Sequence, residues 1–167
     1  MSTFRGKAFK YGHDINTDVI FPGRYLNVFE PVEMAKHAME DLDKDFVKNA
    51  AVGDIVVAGK YFGCGSSREQ AATCLKAAGI SVVIAESFAR IFYRNAINQG
   101  LAIMVCPGIS EIVEAGDQLE VDPTSGIIKN LTRGGERKAK PLPPFIMGIL
   151  EDGGLIPHLQ KSMKSAV

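Results

Sequence analysis

The run Gly63-Cys64-Gly65-Ser66-Ser67-Arg68-Glu69 constrains this chain more than any other, because an apolar segment leads into it and a helical stripe leads out. Its two glycines open backbone conformations closed to residues with a side chain, and they let a ligand approach the main chain. Beyond them Ser66-x-x-Glu69 reads as a capping box. Ala71, Ala72, Cys74, Leu75 and Ala78 share one helical face and Gly79 lies past the end, which predicts a helix from about Arg68 to Ala78. Strands are expected on either side, at Asp54 to Phe62 and at Ser81 to Glu86. Right-handed crossover makes them parallel neighbours, so the fold class is α/β with a parallel strand-helix-strand core.

The turn also carries a chemistry. At the first turn of a helix the unpaired N–H groups and the positive end of the dipole favour an anion, and Arg68 adds a planar fork that fits a carboxylate bidentately. With the Ser66 and Ser67 hydroxyls beside it, the turn suits an organic acid. The same residues suit plain capping of a helix, and spacing alone leaves both readings open.

Around this unit the chain reads as a strand at Thr3 to Tyr11, a polar turn at Gly12 to Asp18, and a short apolar run at Val19 to Phe21. A loop from Gly23 to Glu30 leads to a helix from Pro31 to about Asp41. Ser87 is placed to cap a second helix through Gln99, ended by Gly100 and followed by a strand at Leu101 to Val105. Short antiparallel strands are expected at Gln118 to Asp122, Ile127 to Thr132 and Arg137 to Lys140, and a last helix at Pro144 to Glu151. The only internal echo is Gly53-Asp54 and Gly116-Asp117, each before a strand. A length of 167 residues supports one well-buried core, so residues 1–167 are read as a single domain.

Several function classes fall away. Lys plus Arg number 19 and Asp plus Glu number 19, so no net field draws the chain to nucleic acid or a lipid surface. The apolar runs are too short for a membrane span and the N-terminus lacks the apolar core of a signal peptide, so a cytoplasmic location is expected. Cys64, Cys74 and Cys106 show no zinc-ligand spacing, and no metal site is expected in this chain. A phosphate-binding loop would need Lys-Ser/Thr after its glycines, and a serine hydrolase would need Gly-x-Ser-x-Gly with a histidine base. Asp14, Asp18 and Glu86 could form a carboxylate pair, yet Asp in turns usually caps backbone groups. What remains is part of a site, able to clamp an acid but dependent on a partner for the rest of its chemistry.

Three motifs then carry a resemblance: Gly12 to Pro22 (Gly-His-Asp-Ile-Asn-Thr-Asp-Val-Ile-Phe-Pro), Phe62 to Glu69, and Ser87 to Asn95 (Ser-Phe-Ala-Arg-Ile-Phe-Tyr-Arg-Asn). In this order, and with the closing Gly148 to Pro157, the chain resembles the small-subunit family of 3-isopropylmalate dehydratases, equivalent to the swivelling C-terminal domain of aconitase. The resemblance implies a swivelling β/β/α domain that closes over a separate large subunit, whose cysteines hold a [4Fe-4S] cluster acting as a Lewis acid on the substrate. No cofactor is implied for this chain itself. The resemblance assigns Ser66 as the base that removes a proton from the substrate carbon. It gives Gly65, Ser67 and Arg68 to binding a substrate carboxylate, in a reversible dehydration and rehydration of an alkylmalate on the route to leucine.

In that family the loop that here runs Arg24-Tyr25-Leu26-Asn27-Val28 reads the substrate. Relatives acting on homoaconitate resemble Tyr-Leu-Arg-Thr there, whereas this chain has Asn27 at the arginine position. It lacks that cation for a distal carboxylate, and Leu26 and Val28 suit a small alkyl group. A branched malate such as 3-isopropylmalate is therefore expected, with 2,3-dimethylmalate, another alkylmalate or homoaconitate as alternatives. A non-catalytic organic-acid-binding domain is the remaining one. Tyr25 and Leu26 could equally pack the loop on the core.

Overall fold

Seven strands form one mixed sheet in a computed structural model that describes residues Met1–Val167. They are β1 (Phe4–Lys10), β2 (Ile55–Ala58), β3 (Val82–Ala85), β4 (Ala102–Val105), β5 (Gln118–Val121), β6 (Ile127–Asn130) and β7 (Glu136–Lys138). In the order β4-β3-β2-β1-β5-β6-β7, the first four pair in parallel and the last four antiparallel, with β1 common to both halves. The mixed α/β class and the parallel pairing of β2 with β3 match the sequence expectation.

The apolar strands are unbroken because the sheet is covered on both faces. Val56, Ala58, Val83, Ala85 and Ile103 face a larger core under α4 (Glu69–Ala77) and α5 (Arg90–Asn98). Ile55, Val57, Val82, Ile84 and Met104 face a second core that includes Ile109 of α6 (Ile109–Ile112) and Leu150 of α7 (Pro144–Glu151). Each fully buried aliphatic side chain contributes about 1.5–3 kcal/mol. These two layers hold rigid the strand ends from which the functional turns emerge.

The Gly-Asp echo proves structural. Asp54 accepts hydrogen bonds from the backbone of Ala51 (2.9 Å) and Lys7 (3.0 Å). Asp117 accepts from the backbone of Glu114 (2.9 Å) and the Asn130 amide (2.7 Å). Each aspartate thus closes the turn three residues upstream of itself, one turn on either side of β1. Gly6 of β1 is required by the first of them, since a Cβ there would lie 2.1 Å from the Gly53 carbonyl oxygen.

Several boundaries differ from expectation. β2 stops at Ala58 because the chain then turns: the Lys60 N–H donates to His13 Nδ1 (2.7 Å) and Tyr61 adopts φ +60°. The helix begun at Pro31 ends at Ala35 (α2, Pro31–Ala35), and Met39 at φ +60° turns back to donate its N–H to Ile20 (2.8 Å). Ser87 is not a helix cap; α5 starts at Arg90 after Ala89, and the Ser87 hydroxyl accepts from the Tyr61 N–H (2.8 Å). The short helices α1 (Thr17–Ile20) and α3 (Phe46–Asn49), the helix α6, and the terminal α8 (Leu155–Ser165) were not anticipated. Pro157 sits in the first turn of α8, where its missing N–H costs nothing.

Candidate active site

The three motif segments meet where β1, β2 and β3 end. The Gly63 N–H donates to Ile15 (2.7 Å), the Thr17 N–H to Cys64 (2.8 Å), the Phe62 N–H to Ser87 (3.1 Å) and the Ala89 N–H to Phe62 (2.9 Å). Segments distant in sequence are thereby stitched into one edge, and the carboxyl edge of a parallel sheet is where open α/β folds place their ligands. Beneath it Phe62 packs edge-on against Phe88 (6.0 Å) and Phe92 (5.2 Å).

Both turn glycines are needed. Gly63 has φ +83°, and a Cβ on it would stand 2.2 Å from the Phe92 ring; Gly65 has φ +93°. They carry the chain past the aromatic floor and leave Ser66 and Ser67 exposed. The predicted capping box does not form. α4 begins at Glu69, with Arg68 in extended conformation as the N-cap residue and no side chain on the first-turn N–H groups. The Ser66 carbonyl instead accepts from the Thr17 hydroxyl (2.8 Å), which fixes the backbone while the Ser66 hydroxyl engages no partner in the chain. Ser67 receives only a long contact from the Asn95 amide (3.5 Å).

Arg68 is held from one side. Its Nη1 donates to Asp18 Oδ1 (2.6 Å) and to the Phe21 carbonyl (3.1 Å), whereas Nε and Nη2 have no partner in the chain. That free edge is the one that grips a carboxylate with two parallel N–H bonds. The Arg68 hydrogen bond, and then the Gly23 N–H (3.0 Å), hold the Asp18 carboxyl below the usual carboxylate range. Gly23 keeps this corner open, since a Cβ there would lie 3.3 Å from both Arg68 Nη2 and Asp18 Oδ1. From sequence Asp18 is a candidate for a carboxylate pair or for a turn cap, and Gly23 is only the start of a loop. α1, capped by the Asn16 side chain onto the Asp18 and Val19 N–H groups, presents Asp18 to Arg68, a pairing across 50 residues that local spacing does not signal.

The remaining residues expected at the site lie beside it. Gly23–Tyr25 form a 3-10 turn in which Arg24 grips Asp41 bidentately (2.9 and 2.7 Å) and covers the Tyr25 ring. Tyr25 stacks on His37 at 3.7 Å. Tyr25 and Val28 pack against the larger core, while Leu26 and Asn27 are exposed. The structure therefore unites Gly65, Ser66, Ser67 and Arg68 with Asp18 and Gly23; of the loop residues, Arg24, Leu26 and Asn27 are exposed, with Arg24 engaged by Asp41.

No three metal-ligating side chains converge anywhere in the chain. Cys74 is fully buried, with its thiol pushed up by desolvation, Cys106 is buried elsewhere, and half-buried Cys64 is pushed up by desolvation and by Asp14. The donor set does not fit an iron-sulfur cluster. No helix is long and apolar enough to cross a membrane.

The family model for the aconitase C-terminal domain matches residues 14–107, a span that contains the whole edge. A 3-isopropylmalate dehydratase small subunit of Caldicellulosiruptor bescii is 59% identical over 96% of this chain and 97% of its own. An isopropylmalate/citramalate isomerase small subunit of Methanocaldococcus jannaschii is 56% identical over 97% of this chain and 96% of its own. A solved structure described as 3-isopropylmalate dehydratase, from the same species, superposes with a TM-score of 0.94 at 41% identity, covering 99% of this chain and 98% of that one.

Proposed function

The chain belongs to the aconitase C-terminal-domain family, with the 3-isopropylmalate dehydratase small subunits among its relatives, and from that premise we propose that it is such a subunit. With a large subunit it interconverts 2-isopropylmalate and 3-isopropylmalate by dehydration and rehydration. The observation that carries this reading is the pairing of a half-anchored Arg68 with two exposed serine hydroxyls on a family-matched edge.

In this reading the substrate carboxylate takes the free Nε and Nη2 edge of Arg68, aided by Ser67 and the first-turn N–H groups of α4. Asp18 keeps Nη1 turned inward, so the guanidinium does not have to be ordered when substrate arrives. Ser66 removes the proton from the substrate carbon. An alkoxide is far from accessible at neutral pH, so Arg68, the helix start and exclusion of water by the partner must all favour it. The cluster that resemblance assigns to the large subunit has no seat here, and no step on this chain is assigned to it. Three cysteines without a disulfide support a reducing, cytoplasmic setting.

Leu26 and Asn27 read the substituent in this proposal, which their exposure supports, and they favour an alkyl group over a further carboxylate. The relative named for both isopropylmalate and citramalate makes breadth among alkylmalates the second reading. Reconstitution with the cognate large subunit, assayed on 3-isopropylmalate, citramalate, 2,3-dimethylmalate and homoaconitate, tests both. The highest kcat/KM is expected for 3-isopropylmalate; a preference for homoaconitate, or no turnover of any malate, contradicts the proposal.

A further inference from the structure

Five of the seven arginines pair with carboxylates of the same chain: Arg5 with Glu120, Arg24 with Asp41, Arg68 with Asp18, Arg133 with Asp117 and Arg137 with Glu111. Arg90 and Arg94 pair with none. They stand four residues apart on α5, hence on one helical face, and both are exposed. Like charges at this spacing disfavour a helix, and Arg90 lies in the first turn, where the dipole is already positive. The neighbouring segments carry Asp14 and Glu86, and neither reaches either arginine. Nothing within the chain compensates this charge, which leaves it available to an acidic surface outside the chain.

The ground between and beside the arginines is apolar. Ile91 is 44% exposed and Tyr61 53% exposed. Tyr61 holds its ring out from φ +60°, a conformation costly for an aromatic residue, pinned by its N–H on the Ser87 hydroxyl. Arg90 lines three adjoining recesses of about 330, 370 and 460 Å³, and the first of them includes Gly63 and Gly65 of the candidate turn. The face is therefore continuous with an edge that must be covered if water is to be excluded from it.

We propose that the face formed by Tyr61, Arg90, Ile91 and Arg94 is the docking surface for the large subunit, which meets the two arginines with carboxylates and covers Tyr61 and Ile91 with apolar side chains. This rests on the small-subunit reading above. Arginine and tyrosine at the centre of a desolvated patch are the residue types that dominate interface energetics.

The test is calorimetric titration of the full chain with its cognate large subunit at low and high salt, comparing wild type, Arg90→Glu/Arg94→Glu, and a control pair on the far strand and its exit, Lys138→Glu/Lys140→Glu. The Kd of the arginine variant should rise roughly 10-fold to 100-fold. Wild-type affinity should fall with salt, the control should bind normally, and turnover should recover when the large subunit is saturating. If the charge reversal unfolds the chain, Arg90→Ala/Arg94→Ala serves with a Kd shift of roughly 3-fold to 10-fold. Unchanged affinity in the arginine variant, while wild type binds and turns over, overturns this docking face alone. Normal affinity with lost kcat assigns the arginines to substrate, and RNA binding abolished by the reversal with subunit affinity intact assigns them to nucleic acid; either overturns the proposal. Failure of wild type to bind the large subunit overturns the small-subunit reading, and this proposal with it.

Discussion

Two arginine–aspartate pairs in this chain are built in opposite senses. In Arg68–Asp18 the guanidinium is the recessed member, 16% exposed, and the carboxylate is open to solvent at 63%. In Arg133–Asp117 the carboxylate is sealed at 3% and the guanidinium is the open member at 56%. The first fixes a cation by one edge and leaves the other edge free, the edge proposed above for the substrate carboxylate. The second fixes an anion inside a turn, where the Glu114 N–H and the Asn130 amide complete its hydrogen bonds, and the arginine only closes the top. Equal chemistry thus serves the proposed binding at the carboxyl edge and architecture in the antiparallel wing, and the difference lies in which partner is buried.

The contrast is broken most strongly by Ser66→Ala, which sits on the binding side. Its hydroxyl has no partner in the chain, so thermal stability should be unchanged while turnover of the reconstituted enzyme falls roughly 1,000-fold, within the range of lost acid–base catalysis. Asp117→Asn should do the reverse. It leaves buried donors mismatched, and unfolding should cost about 3 kcal/mol less, a Tm drop of roughly 6–12 °C, with kcat per folded molecule retained. Arg68→Lys should lower kcat/KM about 10-fold to 100-fold, because a point charge cannot supply two parallel N–H bonds. Near-normal kinetics there would remove the clamp from the account.

Acid titration sharpens the architectural side. Burial pushes the Asp117 carboxyl up, but the Glu114 N–H, Asn130 and Arg133 outweigh it and hold the group below its ordinary value. A depressed carboxylate stabilises the fold fully above its unfolded pKa of about 3.9, and that contribution is lost as pH falls through the folded value. Chemical denaturation should show a constant gap between wild type and Asp117→Asn near neutrality that narrows below about pH 4. Arg133→Lys is the smallest case, with about 0.5–1 kcal/mol of stability lost and turnover untouched.

The sequence made the parallel unit legible because β2 and β3 are buried on both faces and so read as unbroken apolar runs beside a glycine-rich turn. It made the turn legible as an acid cradle from Gly63, Gly65, Ser66, Ser67 and Arg68. It did not reveal that Ser66 gives its carbonyl rather than its hydroxyl to the local structure, because Thr17, the donor, arrives from a segment 49 residues away. The resemblance put Arg24 in the substrate-reading loop, yet it pairs with Asp41, which follows the chain reversal at Met39 with φ +60°. Local spacing encodes elements; which side chain satisfies which group across the edge is decided by tertiary pairing.

The most direct test of the exchangeable role of Arg68 is its Nε–H resonance in the reconstituted enzyme, followed by nitrogen-15 NMR during titration with 3-isopropylmalate. The account predicts a saturable shift with a midpoint that tracks the saturation of turnover. An Arg68 signal that stays in place while turnover saturates would contradict it.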